Sequence, residues 1–177
     1  MTSYVALLRG INVGGKTMIA MAELRKLFEG EGLVDVKTLL QSGNVLFKSA
    51  STAVALELLI EKNIEKKFGR EVDVMVRDKT AWEKIIAKNP FADEAKNDPG
   101  HLVVLCLKSK PEAKALAALK AAIVGREYFA PGEKCLYLMY PDGIGTSKLT
   151  NVVFDRHIGT ATARNWNTVL KIAAALG

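Results

Sequence analysis

The residues with the clearest chemical potential lie near the N-terminus, between Arg9 and Lys16. This segment combines two cations and the amide of Asn12 with three glycines. Glycine adopts backbone angles that side chains forbid, and it lets a ligand approach the main chain. Backbone N–H groups that converge in such a turn, next to cations, suit the binding of an anion. The pattern therefore predicts an anion site built from Arg9, Asn12, Gly14, Gly15 and Lys16.

The same segment matches a nucleotide-binding motif, because residues 10–17 fit the P-loop pattern G-x-x-x-x-G-K-[ST]. A P-loop requires a helix that begins at the lysine and a parallel sheet around it. Here the helical pattern becomes clear only at Met21, and the following strands have the pattern of an antiparallel hairpin. Asp78 is the nearest candidate for a magnesium ligand. This context favours a coincidental match, and a glycine turn that binds nothing remains an alternative.

Two further polar stretches lie at predicted turns. Gln41, Ser42, Gly43 and Asn44 separate two β-rich segments, and these residue types favour turns for local reasons alone. The segment 141–148 lies between a predicted strand and a predicted helix. We predict that its Thr146 or Ser147 caps that helix, with free amides beside Lys148 that would suit a phosphate or a carboxylate. A simple cap without a ligand explains the segment equally well.

The fourth polar stretch covers residues 160–168, ahead of the last apolar stripe. Thr162 is predicted as the N-cap of the final helix, with Asn165 three positions later. Arg164, Asn165 and Asn167 are more polar than a cap requires, and arginine and asparagine make forked contacts with phosphates and base edges. The stretch therefore predicts a second group of ligand contacts.

The elements that position these stretches follow a βαββαβ order over residues 3–77, which is typical of a ferredoxin-like unit. A polar, turn-rich segment over residues 89–100 then predicts a boundary, which divides the chain into subdomains 1–88 and 89–177. The second half is predicted as a βαββα-like unit that ends in a C-terminal helix, without a residue-level repeat of the first. The predicted fold class is α+β, with two ferredoxin-like-related halves.

Composition limits the classes of function. Apolar residues make up 49% of the 177 positions and the net charge is +6, with the basic excess spread over both halves. That charge suits nucleic acid or phosphorylated ligands, and a lysine-rich surface explains it equally well. No apolar run approaches the roughly 20 residues that span a bilayer, so we expect a cytoplasmic protein without membrane contact. Cys106 and Cys135 are predicted to be reduced core residues, and neither a metal nor a cofactor is predicted.

The chain resembles a bacterial family, domain of unknown function 1697. The resemblance is carried by six motifs: Tyr4–Lys16, Met21–Arg25, Gln41–Val45, Asn89–Phe91, Ser147–Leu149 and Thr162–Thr168. It implies a compact α+β protein with ferredoxin-like parts and no established activity. In the family pattern the position of Thr17 is often asparagine, which weakens the P-loop interpretation further. The family motifs coincide with the four polar stretches, so we expect these stretches to form one shared site.

Three hypotheses follow for the function. The first is a non-catalytic binding protein for nucleic acid or a phosphorylated small molecule, with a basic site between the two halves. Its predicted contacts are Arg9, Asn12, Gly14, Gly15, Lys16, Ser42, Asn44, Ser147, Lys148, Arg164, Asn165 and Asn167. The second is an enzyme that acts on a small phosphorylated or carboxylated substrate, although no nucleophile, base and orienting group assemble by spacing. The third is an interaction module whose motifs serve only turns and caps.

Overall fold

The computed structural model describes residues 1–15 and 18–177. The chain forms two compact units, one of residues 1–83 with 172–177 and one of residues 84–171. The predicted α+β fold class is confirmed, since each unit contains a four-stranded antiparallel sheet with helices between its strands. Among the described residues, no helix has the length and apolar character needed to cross a membrane.

The first unit has the predicted βαββαβ order. Its elements are β1 (Thr2–Leu8), α1 (Met21–Gly30), β2 (Val34–Leu39), β3 (Asn44–Ser49), α2 (Ala53–Phe68), β4 (Val74–Asp78) and α3 (Lys79–Ala87), within which the unit ends. The strands lie in the order β2-β3-β1-β4, and all neighbours are antiparallel. This is the strand order of a ferredoxin-like sheet.

The core of this unit explains the apolar run at the N-terminus. Alternate residues of β1, among them Ala6 and Leu8, belong to a buried cluster with Leu24 of α1 and Leu56 of α2. The intervening side chains of β1, such as Leu7, are also fully buried. A strand that is buried on both faces has a continuous apolar sequence instead of an alternating one.

The edge of this sheet is covered by carboxylates of α2. The N–H of Val74 donates to the Glu61 carboxylate at 2.8 Å, and the N–H of Val76 donates to the Glu57 carboxylate at 2.8 Å. An edge strand exposes unpaired N–H groups to other chains unless something covers them. The two glutamates, one helical turn apart, satisfy these groups on β4 and protect the edge.

The second unit repeats the arrangement. Its elements are α4 (Ala92–Asn97), β5 (Leu102–Leu107), α5 (Ala113–Ala122), β6 (Tyr128–Pro131), β7 (Cys135–Met139), α6 (Asn151–His157), β8 (Ala161–Asn165) and α7 (Trp166–Leu176), whose residues from Ile172 onward belong to the first unit. The strand order is β6-β7-β5-β8, again antiparallel throughout. The unit therefore contains one strand more than the sequence predicted.

That strand, β8, corrects the interpretation of residues 160–168. Thr162 was predicted to cap the last helix, but it lies inside β8, and α7 begins only at Trp166. The side chains that β8 buries on one face are those of Thr162 and Arg164, whereas Ala163 between them is exposed. Because the buried positions are polar, the strand has no apolar alternation in its sequence.

The registers reveal a positional repeat between the units. Arg77 of β4 lies opposite Val5, and Arg164 of β8 lies opposite Val104, at the same place in the two sheets. The next residue in each strand caps the following helix: an Asp78 oxygen accepts from Ala81 N at 2.7 Å, and Asn165 accepts from the helix in the same way. The repeat concerns positions and roles more than residue identities, which is why the sequence alone did not show it.

Candidate functional site

The loop after β1 is fixed at its start by the neighbouring strands. The N–H of Leu8 donates to Gly43 O at 2.8 Å, and the N–H of Arg9 donates to Asp73 O at 2.9 Å. The Arg9 guanidinium also lies near the Asp73 carboxylate, with 3.6 Å between Nη1 and Oδ2. These two bonds join the end of β1 to the chain segments on both sides of it, and the ion pair orients the Arg9 side chain at the start of the loop.

Asn12 holds the shape of this loop. Its Nδ2 donates to Ile19 O at 3.0 Å and to Gln41 O at 3.0 Å, and its Oδ1 accepts from Ile19 N at 2.8 Å. The residue adopts φ 55°, a left-handed conformation that asparagine tolerates better than most side chains. The amide therefore closes the loop onto itself and ties it to the β2–β3 turn.

The glycines leave the main chain of the loop accessible. Gly14 and Gly15 adopt φ values of 64° and 72°, and nothing lies within 4 Å of where a Cβ would stand at either residue. Within residues 1–15 and 18–177, no acceptor receives the N–H groups of Gly14 and Gly15. These exposed groups are consistent with an anion-binding turn. Lys16 and Thr17 lie outside the described residues.

The surroundings of the glycine loop differ from those of a P-loop. Neighbouring strands in the first sheet are antiparallel, whereas a P-loop lies in a parallel sheet. Helix α1 begins at Met21 after Ala20, so the glycines do not run directly into its first turn. The described geometry agrees with the interpretation of the motif match as coincidental.

The β2–β3 turn packs against this loop through Gly43. A Cβ at Gly43 would lie 2.8 Å from the side chain of Ile11, and the residue has φ 79°. Asn44 is fully buried, and its Nδ2 donates to Leu39 O at 2.8 Å and to Ser42 Oγ at 3.1 Å. Ser42 is exposed. The structure thus brings Asn12 and Ile11 of the first polar stretch next to the Gln41–Asn44 turn at one end of the first sheet.

In the second unit, Ser147 has a different local role from the predicted one. Helix α6 begins at Asn151 with Thr150 at its N-cap, so the expected capping by Thr146 or Ser147 is wrong. The Ser147 hydroxyl donates to the Glu127 carboxylate and accepts from Leu149 N at 3.0 Å. The chain turns at Ser147 before the helix begins, which separates its hydroxyl from the free amides of the first helical turn.

The residues around β8 divide into one buried cation and two exposed amides. Arg164 is buried, and its Nη1 donates to Thr162 Oγ1 at 2.9 Å and to Ala163 O at 2.8 Å. Burial lowers the pKa of Arg164 to about 10, because removal from water disfavours the charged form. Asn165 Oδ1 accepts from Thr168 N at 2.9 Å and caps α7. Asn165, Asn167 and, earlier in the chain, Lys148 are exposed.

Two carboxylates belong to these sites although the sequence did not point to them. Asp73 accompanies Arg9, and Glu127 accompanies Ser147. Glu127 also lines a cavity of about 400 Å³ between α5 and β6, together with Leu116 and Phe129. Across residues 1–15 and 18–177, no group of three or more His, Cys, Asp and Glu could hold a metal ion. The meeting of both units' polar stretches in one site stays a prediction.

Comparisons with known proteins place the chain in a family without an assigned activity. No curated protein of described function matches it. A solved structure, the conserved bacterial protein SP0830 from Streptococcus pneumoniae, has a TM-score of 0.80 and 24% identity, over 99% of both chains. At that identity the likeness shows the fold alone. The family model described as "Protein of unknown function (DUF1697)" matches residues 1–137. Because that match covers more than half of its length, the chain belongs to the DUF1697 family.

Proposed function

We propose that this protein is a non-catalytic binding protein for a phosphate-bearing ligand, either a nucleic acid or a phosphorylated small molecule. The loop after β1 would supply the main phosphate contact. The observation that carries the proposal is the exposure of Gly14 and Gly15, whose N–H groups have no acceptor among the described residues, in a loop whose shape Asn12 holds. An oriented set of backbone N–H groups binds an anion without the cost of ordering a flexible loop.

The charge near this loop supports an anionic ligand. Arg9 is 22% exposed and pairs with the half-exposed carboxylate of Asp73 at 3.6 Å. At 3.6 Å the pair is longer than a charge-assisted hydrogen bond, so a doubly charged phosphate can compete with the Asp73 carboxylate for the guanidinium. The exposed Lys148, Asn165 and Asn167 of the second unit are further candidate contacts.

The aromatic residues of the central strands are buried, which favours recognition of the phosphates of a ligand over stacking on its bases. Tyr4 and Phe47 are 6% and 2% exposed, and their rings stack on each other with centroids 5.8 Å apart. RNA-recognition sheets instead expose aromatic rings on which bases stack. Binding through the backbone of the ligand predicts weak sequence preference and a strong dependence on salt.

The proposal is tested by fluorescence anisotropy with labelled single-stranded RNA and DNA, and by calorimetry with nucleoside triphosphates, at several salt concentrations. We expect binding of an oligonucleotide or a nucleotide at low salt. Oligonucleotide affinity should fall with salt, with a logarithmic slope of about −0.7 per phosphate contacted. Undetectable binding of every probe at low salt would refute the proposal.

A pair of matched glycine variants assigns the binding to the loop. Gly15→Ala adds a methyl group to the loop itself, at φ 72° and with nothing within 4 Å. Gly32→Ala adds the same group at φ 75°, also with nothing within 4 Å, but in the turn after α1. Both variants should lose about 1 kcal/mol of stability from left-handed strain. Only Gly15→Ala should weaken binding, by about tenfold, the factor that 1.4 kcal/mol produces. Equal affinities for the two variants would remove the loop from the site.

A further inference from the structure

The two cysteines of the chain lie directly opposite each other in the second sheet. Cys106 is on β5 and Cys135 is the first residue of β7, and their Cα atoms are register partners. Both are buried, and neither forms a disulfide in the structure. The sequence predicted reduced core thiols without suggesting that they face one another, because 28 residues separate them.

The hydrogen bonding around the pair identifies its geometry. The N–H of Leu107 donates to Lys134 O at 3.0 Å, and the N–H of Tyr140 donates to His101 O at 3.0 Å. In this register the Cys106–Cys135 pair lies between such bonds, at a non-hydrogen-bonded position. Cα atoms of such pairs are about 4.5 Å apart, and disulfides span about 4.4–6.8 Å between Cα atoms. The backbone spacing therefore permits a disulfide without movement of the strands.

A cation lies beside the pair. The buried Arg164 lies on β8, the strand that pairs with the strand of Cys106, and burial lowers its pKa. Thr162, which accepts a hydrogen bond from Arg164, is the register partner of Cys106 on β8. A neighbouring guanidinium favours the thiolate, which is the reactive form of cysteine.

The hairpin before Cys135 offers a route for a reagent. Gly132 N donates to Cys135 O at 2.8 Å, and the residues between them, Glu133 and Lys134, are exposed. Hairpin ends open locally at much lower free energy than the whole domain unfolds. Such an opening frees Cys135 from its buried position while the rest of β7 stays paired.

We propose that Cys106 and Cys135 are a modification site, a dithiol that forms a reversible disulfide on reaction with a small-molecule disulfide such as glutathione disulfide. The Cys135 thiolate attacks one sulfur of the reagent, and one glutathione thiolate leaves. The Cys106 thiolate then attacks the Cys135 sulfur of this mixed disulfide, and the second glutathione thiolate leaves. Two protein thiols lose two protons and two electrons, and the reagent is reduced to two glutathione molecules.

The test is intact-mass spectrometry of the reduced full-length protein after exposure to glutathione disulfide and quenching with N-ethylmaleimide. We expect a product lighter by two hydrogen atoms, without glutathione and without maleimide, and a Cys106–Cys135 cross-linked peptide after digestion. Dithiothreitol should restore two alkylatable thiols. Thiols that stay unmodified, or a product that keeps glutathione, would overturn the proposal. A disulfide between two chains would overturn it as well.

Variants that lack one cysteine test whether the two thiols react as a pair or as two separately exposed groups. In Cys106→Ser, the reaction should stop at a stable mixed disulfide on Cys135, because the second thiolate is absent. In Cys135→Ser, Cys106 should stay unmodified because it has no neighbouring hairpin to expose it. Circular dichroism checks that each variant is folded, and Cys106→Ala or Cys135→Ala replaces a serine variant that is not. If both single variants and the parent protein are modified equally slowly, the two thiols react independently of each other, and the proposed dithiol is refuted.

Discussion

Asn12→Gly tests directly whether one side chain holds the loop after β1 in shape. Glycine adopts φ 55° as readily as asparagine, so the change does not strain the backbone at this position. It removes the bonds from Nδ2 to Ile19 O and Gln41 O, and the bond from Ile19 N to Oδ1. The substitution therefore isolates the contribution of the side-chain hydrogen bonds.

The magnitude follows from these bonds and their environment. A hydrogen bond contributes roughly 0.5–1.5 kcal/mol net, so this set corresponds to about 3 kcal/mol. Asn12 is half-buried, and water replaces part of the lost bonding. We expect Asn12→Gly to lower the free energy of unfolding by about 2 kcal/mol. Asn12→Ala should cost about 1 kcal/mol more, because alanine at positive φ is strained.

The measurements are urea unfolding followed by circular dichroism, and hydrogen exchange at the Ile19 amide. A loss of 2 kcal/mol should lower the midpoint by about 1 M urea, and the Ile19 amide should exchange faster. Anion binding should weaken as well, because the loop loses its preorganised shape. A variant within 0.5 kcal/mol of the parent, with unchanged exchange at Ile19, would refute the assigned role of Asn12.

Three further predictions concern packing, the sheet edge and alkaline pH. Gly43→Ala places a methyl group 2.8 Å from a neighbouring side chain at φ 79°, so it should cost about 2–4 kcal/mol. In Gly32→Ala the added methyl group has open space around it, so the free energy of unfolding should fall by only about 1 kcal/mol. Equal losses of stability in the Gly43 and Gly32 variants would contradict the predicted clash at Gly43. Glu57→Ala leaves the N–H of Val76 without its acceptor and removes the carboxylate that lies 3.7 Å from the buried Arg77 guanidinium, so it should cost about 3–5 kcal/mol. Glu57→Gln, which keeps an oxygen for the Val76 N–H, should cost less. Burial raises the pKa of Tyr140 to about 12, and the folded state therefore holds this proton more tightly than the unfolded state. The free energy of unfolding should therefore fall by about 1.4 kcal/mol per pH unit between pH 10 and 12. In Tyr140→Phe, which lacks the phenol, the free energy of unfolding should fall less steeply over the same pH range.

The sequence predicted most of the fold because most elements have a local signature. The apolar run of β1, the four-residue spacing in α2 and the turn residues between β2 and β3 each depend only on neighbours in the chain. The four-stranded antiparallel order of the first unit then followed from the hairpin and the βαββαβ order. Local periodicity reflects burial on one face, and burial is what these elements have in common.

The sequence did not predict β8, because its buried positions hold Thr162 and Arg164. Polar side chains on a buried face remove the alternation by which a strand is recognised. The same stretch also contains a good cap, Asn165, so the helix signal extended over the strand. Here the pairing with β5 decides the conformation, and local preference does not.

Residue types and their spacing determined an α+β protein with basic, glycine-rich and asparagine-rich turns. Tertiary structure alone decided what those side chains do: Asn12 closes a loop onto Gln41, Asn44 is buried, and Cys106 faces Cys135. The Asn12–Gln41 contact and the Cys106–Cys135 pair join residues distant in the chain, and strand register sets which residues meet. Register is a property of the whole sheet, since a slip of one residue turns every side chain to the other face, and no single segment of sequence contains it.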